Sequence, residues 1–570
     1  MSQTDFQPTG VTVYQPGHKE YELSVATSNL LYRFTRPPWV VKPKTTQEVE
    51  KIITEAQKNN LSIAIKNGGH SGAGFSTTEQ GVLVDLVNMN NVQLDMQSRE
   101  PTATMGGGAK WGHAYRKLVN GRHDGWVING GRCPTVGVSG FVLGAGLCPF
   151  GRSIGMGCDR VTEITIVVPG KGAREAAKTL TLKRGDTDAN KRELFWALCG
   201  AGGGNFGIVT EVKMNVDNLG SLTVVAGRFI YQPRREDMAD FMEMMNEFYT
   251  AKWSNEMTID SSWLCDLNQT NSELAVRFIA YYKGNKGDFD REIDEKLVIG
   301  ADVGKLLKRR SSEEKSTRFL HETLVSQWSE ETIQSLPSSR TYSIYTSFVF
   351  SNDNKDQQIK KITSIIRKEM KAFRTQFTGE QGLLQVTFLH SGGKAAEGPS
   401  TATAYPWRKG VYHTYITMQW EDKWLKRDMQ GFLAKFKKRL RPYSLCKEAV
   451  FINFADRELE ADKYEAAYYG LHVARLKGIK KYWDLTNFFK WQQGITLPEE
   501  TSPDQTMARS LNEFARMEPK VKEEVLTQAE EDRQWDKVSL PPASDFTGDI
   551  PLPWGVTIGS GIKSLHDLGF

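Results

Sequence analysis

The 570-residue chain predicts an α+β fold built in two parts. Three observations carry this. Up to about residue 218, short β-branched runs alternate with amphipathic stretches and glycine turns. Within that half, 9 of the 28 residues from Gly130 to Gly157 and 5 of the 8 from Gly200 to Gly207 are glycine, too many for helix or strand. From about Ser221 the texture changes to longer strands, among them Thr341–Phe350, Leu383–Leu389 and Val411–Trp420, which predict an antiparallel sheet covered by helices.

Taken in order, residues 1–30 read as an irregular arm. Pro37 to Pro43 is a short extended segment closed by prolines. Thr46 to Ile53 has a capping-type start and apolar residues at helical spacing. Leu61–Ile65 and Val82–Leu86 are strands. Thr102–Met105 is another, entering Gly106-Gly107-Gly108, and a helix follows from about Trp111 to Val119. The first part spans 31–218 and the second 219–448. The second opens with strands Leu222–Phe229 and Glu273–Tyr282 and an amphipathic stretch Arg235–Phe248. Asn285–Glu331 is charged and is expected to be a solvated, helical or loop-rich face. Residues 497–570 form a C-terminal extension with a helix over Met507–Arg533 and proline breakers beyond it. No internal repeat or low-complexity tract interrupts the chain.

Composition narrows the classes. Hydrophobic content of 39% and charged content of 25% belong to an ordinary globular protein. A net charge of +5 over this length argues for neither nucleic acid nor a membrane surface as partner. No apolar run approaches the roughly 18 residues that a membrane helix needs. Met1 to Lys19 lacks the apolar stretch of a signal peptide, so the expected location is intracellular, in the cytoplasm. Cys133, Cys148, Cys158, Cys199, Cys265 and Cys446 show neither disulfide-framework nor metal-ligand spacing and are expected to be free thiols. No metal site is expected, since His113 and His123 lack companion ligands.

The chemistry concentrates at two loops. His70 lies in Lys66-Asn67-Gly68-Gly69-His70-Ser71-Gly72, and Cys133 in Gly130-Gly131-Arg132-Cys133-Pro134-Thr135-Val136-Gly137. Glycines let a backbone approach a ligand closely and offer it bare N–H groups. A bulky anionic cofactor such as a dinucleotide needs such a surface, and two nucleophiles on two such loops can each bond its ring. The Rossmann fingerprint is absent, because Gly200 to Gly204 is not followed by the required strand and acidic residue.

These loops resemble those of the berberine-bridge-enzyme-like flavoproteins, within the vanillyl-alcohol-oxidase superfamily with its PCMH-type FAD-binding domain. In that family a GGH loop carries a histidine bonded to the 8α carbon of FAD, and a CPTVG loop carries a cysteine bonded to C6. The separation, 63 residues here, also matches. The resemblance continues through Glu193 to Thr210, Phe451 to Asp456, Tyr468-Tyr469-Gly470 and Asn487-Phe488-Phe489. It implies FAD, bicovalent through His70 and Cys133, and a flavin domain completed by residues 449–496. The cofactor residues it implies are Lys66, Asn67, Gly68, Gly69, Ser71 and Gly72 around His70, then Gly130, Gly131, Pro134, Thr135, Val136, Gly137, Ser139 and Gly140 around Cys133. Gly207, Ile208, Val209, Asn453 and Asn487 complete the set.

The proton acceptor departs from the family. A Tyr-x-Asn-Tyr-x-Asp motif reads here Phe451-Ile452-Asn453-Phe454-Ala455-Asp456, without either phenol. Relatives with an acidic base place it on the strand after Pro-His-Arg. Here Tyr405-Pro406-Trp407-Arg408 precedes that strand, and His413 falls near the position, which makes it the first candidate. Tyr412, Tyr415, Tyr443 and His390 are the reserves. On a strand, His413, Tyr415 and Gln419 share a face.

The resulting expectation is an FAD-dependent oxidase. It removes two electrons from a small organic molecule of secondary-metabolite type, passes hydride to flavin N5, and is reoxidised by dioxygen with release of hydrogen peroxide. The alternatives are a dehydrogenase using another acceptor, a carbohydrate oxidase, and a non-redox cyclase or binding scaffold that keeps the flavin for shape. The expected partners are the substrate and dioxygen, with homo-oligomer contacts through the C-terminal extension.

Overall fold

The computed structural model describes residues 6–269, 272–353, 357–498, 550–551 and 557–558. Residues 1–496 make one compact unit. It is α+β and holds three sheets. The first is a four-stranded sheet of β1 (Val13–Tyr14), β2 (Trp39–Val41), β3 (Ile63–Lys66) and β4 (Val82–Asp85), in the order β1-β2-β4-β3. The helix Thr46–Lys58 covers it. Thr45 starts that helix by accepting the Glu48 N–H, and the Glu48 carboxylate returns to Lys44 N. Its Val49, Ile52, Ile53 and Ala56 are fully buried, the helical spacing visible in the sequence.

The second sheet has six strands: β5 (Val92–Asp95), β6 (Thr102–Gly106), β7 (Trp126–Ile128), β8 (Val161–Val168), β9 (Lys178–Lys183) and β10 (Ile208–Asn218). Their order is β5-β6-β10-β8-β9, with β7 on β10. The third is a seven-stranded sheet of β11 (Thr223–Tyr231), β12 (Met257–Asp266), β13 (Ala275–Tyr282), β14 (Ser311–Lys315), β15 (Tyr342–Phe350), β16 (Gly382–His390) and β17 (Tyr412–Trp420). It runs β14-β11-β13-β12-β16-β17-β15, and every pairing in it is antiparallel. Three helices, Met238–Thr250, Gln358–Gln376 and Lys426–Leu440, bury their apolar stripes against one of its faces. The opposite face turns toward the Cys133 side of the molecule.

The segment 449–496 joins both sides. Arg475 pairs with Glu193, and the buried Lys480 donates to Asn205 O and Asp484. On the other side Ser347 Oγ donates to Phe454 O, and Thr346 Oγ1 donates to Asp456.

Two expectations are corrected. The arm is not irregular throughout. It holds β1 and the helix Lys19–Val25, whose Tyr21 is buried and donates to Pro37 O at 2.8 Å. Asn285–Glu331 is not only a solvated face. After helices Lys286–Lys296 and Ala301–Arg309 and the edge strand β14, the chain turns inward and buries Phe319, Leu320, Leu324 and Trp328. An apolar run masked by many charges hid this. The expected helix over Met507–Arg533 lies outside the described residues. Of the extension, β-pairing of Ile550–Pro551 with Thr557–Ile558 is described.

Candidate active site

The two nucleophiles meet at one hydroxyl. His70 Nε2 lies 2.9 Å from Thr135 Oγ1, and Cys133 Sγ lies 3.2 Å from the same atom. The loops that bring them together touch backbone to backbone. A Cβ on Gly68 would lie 2.6 Å from Gly137 N, so only glycine allows the approach. Gly69 sits at φ +71, which also favours glycine. Pro134 O and Val136 O accept the N–H groups of Gly112 and Trp111, fixing the Cys133 loop to the start of the helix Trp111–Asn120. Burial, with the positive charge of Lys110 adding to it, pulls the His70 imidazole down to about 4, so it is neutral near pH 7.

The residues fit a flavin dinucleotide. Among the described residues, the backbone N–H groups of Gly68, Gly69, His70, Ser71 and Gly72 meet no backbone carbonyl. Gly140 is exposed with open space where a Cβ would be, and Asn67 Oδ1 is buried without a partner. A run of free donors is what a diphosphate requires.

Other sequence candidates do different work. Lys66 does not face a ligand, because its ammonium is spent on Ser24 O at 2.5 Å. Ser71 Oγ accepts the Phe75 N–H within its own loop. Gly72 lies against the ring of Tyr345. Gly130 and Gly131 are buried under the indole of Trp111, where any Cβ would clash. Ser139 turns inward, donating to Gly107 O at 2.7 Å and accepting from Asn67. Gly207, Ile208 and Val209 are buried at the start of β10. There a Cβ on Gly207 would meet Val167 O at 2.2 Å, and Ile208 faces the core under the helix Thr46–Lys58. Asn453 donates to Phe141 O and Gly144 O, anchoring the end of the helix Val138–Leu143. Asn487 occupies a left-handed turn at φ 52 with its Oδ1 buried and unpartnered.

The seven-stranded sheet presents a polar row toward this region. Register aligns Arg277, Ser262, Thr387, Tyr415 and Ser347 across five neighbouring strands. Ser262 Oγ and Thr387 Oγ1 are 2.9 Å apart, and Gln385 donates to Thr387 at 2.8 Å. The short helix Ser329–Gln334 lies over the row. Its Glu330 and Glu331 pair with the buried Arg277, Gln334 accepts from Gln419 at 3.0 Å, and Thr332 Oγ1 is 3.2 Å from Cys133 Sγ. Nothing in the sequence marks Thr332 or Ser335 as part of a site.

The candidate bases separate. His413 shares its face with Tyr415 but is fully buried, 2.6 Å from the Tyr405 hydroxyl through Nε2 and packed on Phe451. Burial drives its pKa down to about 3. With its Nε2 held by a protein hydroxyl, His413 is placed for packing and orientation. Tyr412 points to the helix-covered side, donating to Tyr249 O at 3.0 Å, and His390 stacks on its ring. Tyr443 packs at the edge of that same side. Tyr415 remains, with its ring 4.5 Å from Phe454.

Comparison with known proteins agrees with these loops. Residues 37–175 match the family model described as FAD binding domain, and residues 450–496 the model described as Berberine and berberine like. The chain thus carries the two matched segments, an FAD-binding domain and a berberine-like C-terminal segment, and resembles the berberine-bridge-enzyme-like FAD-linked oxidoreductases. It is 23% identical over 508 residues to the uncharacterized FAD-linked oxidoreductase YgaK of Bacillus subtilis, covering 87% of this chain and 98% of that one. It is 22% identical over 498 residues to berberine bridge enzyme-like 1 of Arabidopsis thaliana, covering 82% and 85%. Among solved structures, a variant of berberine bridge enzyme in complex with (S)-reticuline matches with a TM-score of 0.70 at 18% identity, covering 86% of this chain and 97% of that one. This enzyme is therefore an FAD-linked oxidoreductase with the berberine-bridge fold.

Proposed function

We propose that this flavoenzyme is an oxidase whose FAD is bonded twice, to His70 and to Cys133, and whose substrate is a small organic molecule oxidised above the polar row of the seven-stranded sheet. The observation that carries the reading is the placement of both nucleophiles on the single hydroxyl of Thr135. When bound, FAD supplies the two-electron acceptor. The chain's own residues do the rest. The free N–H groups of Gly68 to Gly72 hold the diphosphate. Ser262, Gln385 and Thr387 offer donors and acceptors that orient a polar substrate, and the structural neighbour solved in complex with (S)-reticuline supports a small organic molecule as the substrate class.

Tyr415 is the residue we assign to proton removal. Burial and the charge of Glu331 raise its pKa, whereas Thr387 and Arg277 act in the opposite sense. Glu331 belongs to the short helix Ser329–Gln334 that covers the row. Withdrawal of that helix removes the opposing charge and leaves Arg277, which favours the phenolate. Two measurements test the function. Denatured protein should keep a flavin-sized mass addition. Reduced enzyme mixed with dioxygen in a stopped-flow instrument should reoxidise rapidly and release hydrogen peroxide. Slow reoxidation would favour a different electron acceptor.

A further inference from the structure

The protons around Thr135 can be counted. Thr332 Oγ1 donates to Trp328 O at 2.8 Å, and Ser335 Oγ donates to Thr332 O at 2.7 Å. The hydroxyl protons of Thr332 in the covering helix and of Ser335 just after it are thus committed to backbone carbonyls, and both oxygens are left as acceptors. Thr135 Oγ1 has one proton and three neighbours: His70 Nε2, Cys133 Sγ and, at 3.3 Å, Ser335 Oγ. Several patterns satisfy this set, and two of them differ in where the thiol proton points. In one, His70 donates to Thr135, Thr135 to Ser335, and the Cys133 thiol to Thr332. Each nucleophile then keeps its own proton. In the other, the thiol donates to Thr135 and Thr135 donates to His70. The thiol is then joined to a base through one hydroxyl. Without Ser335 and Thr332 beside the loop, Thr135 Oγ1 is the one acceptor left to the thiol within this set, and the second pattern carries that contact on to His70. The neutral state of His70 keeps a lone pair open to it.

We propose that Thr135 is a positioning residue for flavin attachment, passing the thiol proton of Cys133 to Nε2 of His70 once the helix Ser329–Gln334 has moved off the loop. The proposal rests on the double attachment argued above. Each attachment replaces one C–H bond of the flavin by a C–S or C–N bond. The two electrons and two protons released are taken by dioxygen, giving hydrogen peroxide. The thiol proton is one of the two, and Thr135 ends with the proton count it began with.

The test uses the full chain as wild type, Thr135→Val and Thr135→Ser, expressed with riboflavin and digested for mass spectrometry. The peptides holding His70 and Cys133 are read separately for flavin. Thr135→Val should slow the appearance of flavin on the Cys133 peptide by about 100-fold, the smaller end of what a positioned proton acceptor contributes. The His70 peptide should remain flavinylated, and Thr135→Ser should restore the Cys133 link. Undiminished attachment at Cys133 in Thr135→Val would overturn the proposal. So would equal loss of both links with no rescue by serine, since that is a loss of fold. If wild type itself carries no flavin on Cys133, the double attachment fails, and iodoacetamide labelling then decides the relay alone. Slower labelling of Cys133 in Thr135→Val, restored by serine, supports it; equal labelling rejects it.

Discussion

Arg132 and Asp260 form a bidentate ion pair away from water, with Nε to Oδ2 at 2.5 Å and Nη2 to Oδ1 at 2.9 Å, and side chains only 5% and 2% exposed. Arg132 is the residue before Cys133, and Asp260 lies on β12. The pair therefore fastens the cysteine loop to the seven-stranded sheet. Arg132 also donates to Leu147 O, and the Asp260 carboxylate accepts the His390 N–H, so the remaining polar atoms are satisfied. Removing one member leaves the other charged and buried. Asp260→Ala should destabilise the protein by about 3–5 kcal/mol, the range for breaking a buried pair. Chemical denaturation of the purified variant checks it. A change within about 0.5 kcal/mol, the level of an ordinary surface substitution, would mean that water reaches the pair.

The flavin links should respond one at a time. His70→Ala and Cys133→Ala each remove one nucleophile and leave the other in its loop. Each single variant should still carry covalent flavin after denaturation, and the double variant should release all of it. Intact mass and the absorbance of the denatured protein read the outcome. Free FAD recovered from denatured wild type would reject the double attachment.

His413 and Tyr415 lie on one face of β17, yet they should behave differently. His413→Ala removes a ring that is fully buried and hydrogen-bonded to Tyr405, and so should lower the melting temperature clearly. Tyr415→Phe keeps the ring against Phe454 and removes the hydroxyl alone. It should slow anaerobic flavin reduction by about 100-fold or more, as expected for a lost general base, with little change in melting. A severalfold effect from Tyr415→Phe beside a hundredfold effect from His413→Ala would return the base to the histidine.

Legibility followed the range of the interactions. The strand positions of β15, β16 and β17 and the helix Thr46–Lys58 rest on local alternation or capping, and they are readable along the chain. His70 and Cys133 announce themselves through the glycines that their loops need. What holds those loops is distant in sequence. Thr135 reaches His70 across 65 residues, and Cys133 reaches Thr332 across 199. The row from Arg277 to Ser347 exists only after five strands take their register, and a serine or threonine in a strand carries no mark of which face it will share. His413 illustrates the converse. Its place on the strand was legible, but the Tyr405 hydroxyl that occupies its Nε2 was not. Lys480 and Asp484 likewise look like a surface helix pair four residues apart, and both side chains are wholly buried.

Buried neutral histidines should make the fold acid-sensitive before its carboxylates titrate. Burial holds His413 at about 3 and His472 at about 4, against an ordinary value of 6.5. Above pH 6.5 neither the folded nor the unfolded chain protonates them, and their full contribution is present. As the pH falls below 6.5, the unfolded chain takes up protons that the folded chain refuses. Stability is therefore lost progressively toward the folded values, by about 1.4 kcal/mol per pH unit for each histidine once the unfolded form is fully protonated. The melting temperature should fall between pH 6.5 and pH 5, a window above most carboxylate titration. His472 donates its Nδ1–H to Ala404 O and packs on Trp196, so His472→Gln preserves a polar partner for that carbonyl. The variant should start less stable at pH 7.5 and show a shallower decline than wild type, because one proton uptake has been removed. A flat profile in wild type across this window would mean that both histidines protonate in the folded protein, and that water reaches the strand β17 and the turn before helix Val473–Trp483.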